Sequence, residues 1–200
     1  MIIGSVMAMR EKNLKRMIAY SSVAQIGYIY AGIGVGTWAA LAAALFHMLV
    51  HAVTKPLLFS SAGGLIEASG HSKLIANMKG AGRRNKWAGA GFLVGTLSMI
   101  GVPLFGGFIS KVYLAINAGG RSAVFLVALA LSSCLNAMYY MPVTLRIFSK
   151  PKPQEDVYAS EKGAAPSYAL IISCFSAINI ALGVVGMLLY NVLIKGVEIL

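Results

Sequence analysis

Three ionisable side chains stand four residues apart in an otherwise apolar stretch: His47, His51 and Lys55. On a helix, positions four apart drift by about 40° and rise by about 6 Å, so the three would lie nearly in line on one face. The surrounding apolar run, from about Trp38 to Ile66, exceeds the roughly 20 residues that a bilayer-crossing helix needs. An ionisable stripe at that depth is costly, and by default it marks an ion or proton path facing the bundle interior. Imidazole exchanges protons near neutral pH, and a desolvated lysine can join it. The chemistry that this pattern predicts is proton relay.

A second feature lies downstream. Gly101-Val-Pro103-Leu-Phe-Gly106-Gly107 interrupts another apolar run near its middle, and Lys111 follows four residues later. Glycines flanking a mid-span proline predict a discontinuous helix, which leaves free backbone groups that must be buried in protein or wet. Lys111 is then within reach of that polar pocket.

Plainer explanations stand beside these. Lys55 could snorkel toward an interface, although it lies close to the middle of its run. His47 and His51 could serve as structural hydrogen-bonding groups in the bundle. Pro56 removes the bond to the carbonyl of Ala52 and predicts a kink, which either frees an acceptor beside Lys55 or has no role. Lys15 and Arg16 fit a cytoplasmic mouth, as proton-entry groups or as topology-setting charges. Every acid (Glu11, Glu67, Glu155, Asp156, Glu161, Glu198) falls in a loop or at a terminus, which leaves Lys55 and Lys111 without a carboxylate partner in this chain.

The elements that hold these groups follow from composition and order. The 200 residues are 58% hydrophobic and 12% charged, with mean hydropathy +0.76. Soluble domains carry about 25% charged residues, so an all-α integral membrane protein is expected. The formal net charge of +11 does not indicate nucleic acid, because the cations cluster at the ends of apolar spans without interleaved base-stacking aromatics. Met1 to Met9 is apolar, has no cleavage site and is too short to span, so it reads as the end of a helix. Spans are then expected over Met17–Gly34, Trp38–Ile66, the interrupted Trp87–Ala118, Ser122–Phe148 and Ser167–Ile194. These are about five complete transmembrane helices plus a partial one. Gly34-Val-Gly36 predicts a tight turn, and Gly63-Gly64 the end of the central helix. Leu74, Ile75 and Met78 suggest a short amphipathic surface helix in the polar segment from Glu67 to Lys86. Cys134 and Cys174 read as small core residues, and no metal, nucleophilic or phosphate site is indicated.

Alternating the spans puts Arg10, Lys12, Lys15, Arg16, Lys73, Lys79, Arg83, Arg84, Lys86, Arg146, Lys150, Lys152 and Lys162 on one side. Only Arg121 and Lys195 fall on the other. The positive-inside rule makes the first side cytoplasmic and places the C-terminus outside.

The chain resembles the antiporter-like subunits of respiratory complex I and of Mrp-type cation/proton antiporters. The likeness is carried by the stretch from Asn13 to Gly27, by His47-x3-His51-x3-Lys55 with Leu57-Leu-Phe59, and by Gly101 to Lys111. It weakens after Phe148. The resemblance implies a fold of about fourteen helices built on two inverted repeats, each with a broken helix. Residues 1–148 would supply most of the second repeat, 149–166 a cytoplasmic linker and 167–200 the final helix. It also implies that Lys111 is the key lysine of the broken helix, that His47, His51 and Lys55 belong to a central hydrophilic axis, and that Lys15 matches a family lysine. Asn13 stands where Asp is common and Pro56 where a small residue is usual.

The expected function is proton or cation/proton translocation within an NADH:quinone oxidoreductase-like or Mrp-type membrane complex of a bacterial or archaeal cell membrane. A membrane-bound hydrogenase is a further home for such a subunit. The proton path would be completed by a partner subunit supplying the first repeat, and the coupled ion would be the proton, with sodium a further candidate. No cofactor is expected on this chain, and an oxidoreductase label would belong to the complex. The alternative is a non-conducting structural subunit, or a truncated fragment of such a protein. A single-chain metabolite transporter ranks third, since no internal repeat is visible.

Overall fold

The computed structural model describes residues 1–119, 123–150 and 166–199. Among these the chain is helical: α1 (Ile2–Arg10), α2 (Leu14–Gly34), α3 (Trp38–Glu67), α4 (Ala81–Arg84), α5 (Lys86–Ile100), α6 (Gly106–Gly119), α7 (Ala123–Phe148), α8 (Pro166–Val184) and α9 (Gly186–Glu198). Arg121, Lys152, Lys162, Glu155, Asp156 and Glu161 lie outside the described residues.

The central helix α3 is packed against α2, α5, α6, α8 and α9. It starts at Thr37, whose side chain accepts from Ala40 N–H and so caps one of the free amides of the first turn. Gly36 makes the preceding turn at φ +72°. By length and composition, α3 and α7 can each cross a membrane, and α8 with α9 makes a third crossing if the pair is one span. The serines and Gln25 of α2 lower its apolarity, and α5 and α6 are two halves of an interrupted segment. The outward faces carry large apolar side chains such as Tyr30, Val124, Val127, Leu170 and Leu188, as lipid contact requires.

Several expectations change. The central helix does not end at Gly63-Gly64 but continues to Glu67, with Pro56 inside it. Gly64 instead permits close packing, because a Cβ there would meet Ala88 and Asn85 at 2.8 Å. The segment after α3 is not an amphipathic surface helix. It forms a 3-10 turn over Ile75–Met78 and the one-turn α4. Backbone pairing with the α1–α2 loop draws it inward, through Leu14 N–H to Lys73 O at 3.0 Å and Ile75 N–H to Lys12 O at 2.9 Å. Cys134 and Cys174 are exposed on helix surfaces rather than in the core.

The last span is also not one straight helix. α8 and α9 meet at a bend of 73° around Val185. Gly183 lies against the carbonyl oxygen of Leu104, where any Cβ would collide with backbone, and Gly186 lies against the Phe46 ring. The bend therefore wraps the interruption between α5 and α6. Tyr190 of α9 then reaches Ala39 O in the first turn of α3.

The basic loops gather at the opposite end of the bundle. Arg84 Nε donates to Ala68 O, Arg83 Nε to Phe148 O and Gly80 N–H to Arg146 O, which ties the segment after α3 to the end of α7.

Candidate functional site

The interruption is built as its sequence suggests. Gly101 ends α5 at φ +93°, a conformation open to glycine, and Val102 N–H turns back to Leu97 O. Pro103 and Leu104 are exposed in the connection, and Gly106 and Gly107 open α6. A Cβ on Gly107 would collide with the Ser98 carbonyl, so glycine is what lets the two half-helices approach. Gly107 N–H donates to Ser98 Oγ at 3.2 Å.

A helix that stops inside the bundle leaves carbonyls without partners. Lys111 supplies them. Its Nζ donates to Met99 O at 2.7 Å and Ile100 O at 3.1 Å, and it stands 5.3 Å from the centre of the Tyr28 ring. A cation at the carbonyl end of a half-helix also opposes the helix dipole. Lys111 is 7% exposed, and no carboxylate is among these partners.

His47, also buried, joins three helices. Its Nδ1 is 2.8 Å from Ser110 Oγ on α6, and its Nε2 is 3.0 Å from Gln25 Oε1 on α2. Lys55, two turns further along α3, reaches α2 as well. Its Nζ donates to Ile18 O at 3.0 Å and Ser21 Oγ at 2.5 Å. His51 lies between them, half-buried, with Nε2 enclosed and unpartnered. The predicted stripe is thus one face of one helix, yet His47, His51 and Lys55 each have different surroundings. Lys15 is exposed in the first turn of α2, apart from this line. The neighbouring ion pair joins Arg16 to Glu11 at 3.1 Å, and Asn13 caps α2 by accepting from Arg16 N–H.

Residues of α7, which the ionisable pattern does not mark, lie between the two lysines as two hydrogen-bonded groups that meet through a ring contact. Asn136 Nδ2 donates to Met99 O at 3.2 Å, the same carbonyl that Lys111 holds, and Asn136 Oδ1 accepts from Tyr139 OH. The Tyr139 ring packs 4.8 Å from that of Tyr140, whose hydroxyl bonds Ser21 Oγ at 2.7 Å, beside Lys55. A further branch runs from Ser98 through Thr54 to Asn179 of α8. The available signal was the presence of uncharged polar residues at all inside apolar spans, where each needs a partner. The arrangement holds and orients protons among hydroxyl, amide, imidazole and ammonium groups. Among the described residues no His, Cys, Asp or Glu cluster could hold a metal ion.

Comparisons with known proteins agree with this architecture. The family described as NADH:quinone oxidoreductase/Mrp antiporter, TM matches residues 1–136. NADH-quinone oxidoreductase subunit N of Desulforudis audaxviator is 40% identical over 154 residues, covering 76% of this chain and 30% of that protein. The subunit N of Rhodococcus opacus is 32% identical over 198 residues, covering 98% of this chain and 35% of that protein. The chain thus spans about a third of the length of these curated relatives. Among solved structures, a chain of the archaeal membrane-bound sulfane sulfur reductase superposes with TM-score 0.86 at 28% identity, over 98% of this chain and 39% of that one. A chain of the Mrp complex from Dietzia shares the fold, with TM-score 0.82 at 23% identity over 98% of this chain and 44% of that one.

Proposed function

Because this chain belongs to the NADH:quinone oxidoreductase/Mrp antiporter transmembrane family, we propose that it is a proton-translocating membrane subunit of a multi-subunit respiratory or antiporter complex. It carries protons between Lys111 and the Lys55, His51 and His47 line, and Lys15 stands at the cytoplasmic mouth. The observation that carries this reading is the polar connection between the two buried lysines: Met99 O, Asn136, the Tyr139–Tyr140 pair and Ser21. Asn136 and Tyr139 are hydrogen-bonded on the Lys111 side and Tyr140 and Ser21 on the Lys55 side, the Tyr139 and Tyr140 rings are in contact between them, and all are buried. Partner membrane subunits complete the path, and the C-terminus lies outside.

One observation favours a second reading, a structural subunit that conducts nothing. Both ammonium groups donate to backbone carbonyls, Lys111 to two and Lys55 to one beside the Ser21 hydroxyl, as capping groups would.

Proton flux in liposomes separates the two. The chain is compared with Lys111→Ala and Lys55→Ala, with and without a co-expressed partner subunit. Flux that needs the partner and is lost in either variant is the expected result. No flux in any setting would favour the structural reading.

A further inference from the structure

His47 has a hydrogen-bonding group at each ring nitrogen, and the two groups differ in what they can do. Gln25 presents its carboxamide oxygen, 3.0 Å from Nε2, and a carbonyl-type oxygen only accepts. With Gln25 in this orientation, which leaves its own amide nitrogen buried without a partner among the described residues, His47 Nε2 carries a hydrogen whether the imidazole is neutral or charged. Ser110 presents a hydroxyl, 2.8 Å from Nδ1, which can donate or accept. The same hydroxyl lies 3.1 Å from Gly107 O, so its single hydrogen has two places to point.

We propose that Gln25 fixes the tautomer of His47 and that the Ser110 hydroxyl is a two-position switch, so that His47 gains and loses its proton only at Nδ1, the face turned to the broken helix. This rests on the proton-carrying role above. In the neutral state Nε2–H donates to Gln25 and Ser110 O–H donates to Nδ1. When one proton arrives from the conducted stream, Nδ1–H donates to Ser110 Oγ and the Ser110 hydrogen turns to Gly107 O. The imidazole gains one hydrogen, Ser110 keeps one throughout, and neither ring nitrogen loses its partner. Both states fit the same heavy-atom positions, so switching needs only a hydroxyl rotation.

The location gives this consequence. Gly107 opens α6, Ser110 lies one turn on and Lys111 is next to Ser110, so the charge on His47 is reported directly to the half-helix that carries the lysine. The other titratable groups facing His47 are His51 on its own helix, Lys111 on α6 and Tyr28 on α2, whose ring is 5.5 Å away. Gln25 and Ser110 are positioning residues in this account, acting through His47.

The test reads the ring nitrogens by ¹⁵N nuclear magnetic resonance, with the full chain labelled at histidine in lipid bilayers and His47 assigned by His47→Asn. The expected result is hydrogen on Nε2 in neutral His47, a shift to mixed tautomers in Gln25→Met, and an altered Nδ1 resonance in Ser110→Ala with Nε2–H retained. Hydrogen on Nδ1 in the unmodified chain, or resonances unmoved by either variant, would overturn the assignment. In the flux assay with the partner subunit, Ser110→Ala should slow transport by about tenfold or more, with recovery in Ser110→Thr. Unslowed transport in Ser110→Ala would overturn the switch. Absence of flux from the unmodified chain would overturn the proton-carrying role, while the resonances would still decide where the hydrogen sits.

Discussion

Lys111 caps the half-helix that the chain breaks in order to reach it: its Nζ holds Met99 O at 2.7 Å across the interruption. One side chain thus serves as the closing group of α5 and as the proposed proton carrier. The two roles make opposite demands, since a cap is best permanently charged and a carrier must discharge. When Lys111 gives up its proton, the amine still has two hydrogens, enough for Met99 O and Ile100 O, but the charge opposing the α5 dipole is gone. A proton-carrying Lys111 would therefore change the electrostatics of the interruption that it closes.

Arginine should separate these roles. Lys111→Arg keeps a cation and donors for the carbonyls but does not release its proton in a protein. The expected outcome is a chain that inserts and resists thermal unfolding like the unmodified one yet loses proton flux. Lys111→Met removes the donors: Met99 O keeps Asn136 Nδ2, but Ile100 O loses its ammonium partner, which should cost about 1–3 kcal/mol on top of the loss of flux. Equal stability in Lys111→Met and the unmodified chain would show that the cap contributes nothing.

The connection through α7 gives a second prediction. Tyr139→Phe removes the donor to Asn136 Oδ1, and Tyr140→Phe removes the bond to Ser21 beside Lys55, each with almost no change of shape. Each lost hydrogen bond should cost about 1 kcal/mol of stability. If protons move along this connection, flux should fall in both variants, and the double variant should be no slower than the worse single one. Unchanged flux in both would detach Lys111 from Lys55 and require another route.

How much of this was legible in the sequence follows from what each feature depends on. The broken helix was readable because Gly101, Pro103, Gly106 and Gly107 encode it locally, through a left-handed cap and a missing donor. The His47–His51–Lys55 stripe was readable because spacing on one helix fixes a common face. The bend between α8 and α9 was not, because Gly183 and Gly186 look like ordinary glycines in an apolar run. Their reason is tertiary, the approach of Leu104 O and the Phe46 ring. Gly64 misled for the same cause, packing against Ala88 rather than ending a helix. The exposed cysteines show a different limit. In a membrane protein both the core and the outer face are apolar, so an apolar neighbourhood does not place a residue inside.

The packing at the interruption gives the last prediction, through two glycine substitutions of opposite expected sign. In Gly107→Ala the new methyl would collide with the Ser98 carbonyl, a backbone atom that cannot move aside without shifting a whole half-helix. Overpacking of this kind costs about 1–3 kcal/mol, and here it also displaces Ser98 Oγ from Gly107 N–H and tilts the turn that carries Ser110 and Lys111. In Gly196→Ala, inside α9, the methyl meets nothing within 4 Å, so the gain in helix propensity should stabilise the chain by about 0.5–1 kcal/mol. Thermal unfolding in detergent, with flux measured in parallel, checks both. Gly107→Ala should lose stability and transport together, because the same contact that permits the close approach sets the position of Lys111. A Gly107→Ala chain as stable and as active as Gly196→Ala would mean that the half-helices can separate without consequence, and that the position of Lys111 is set elsewhere.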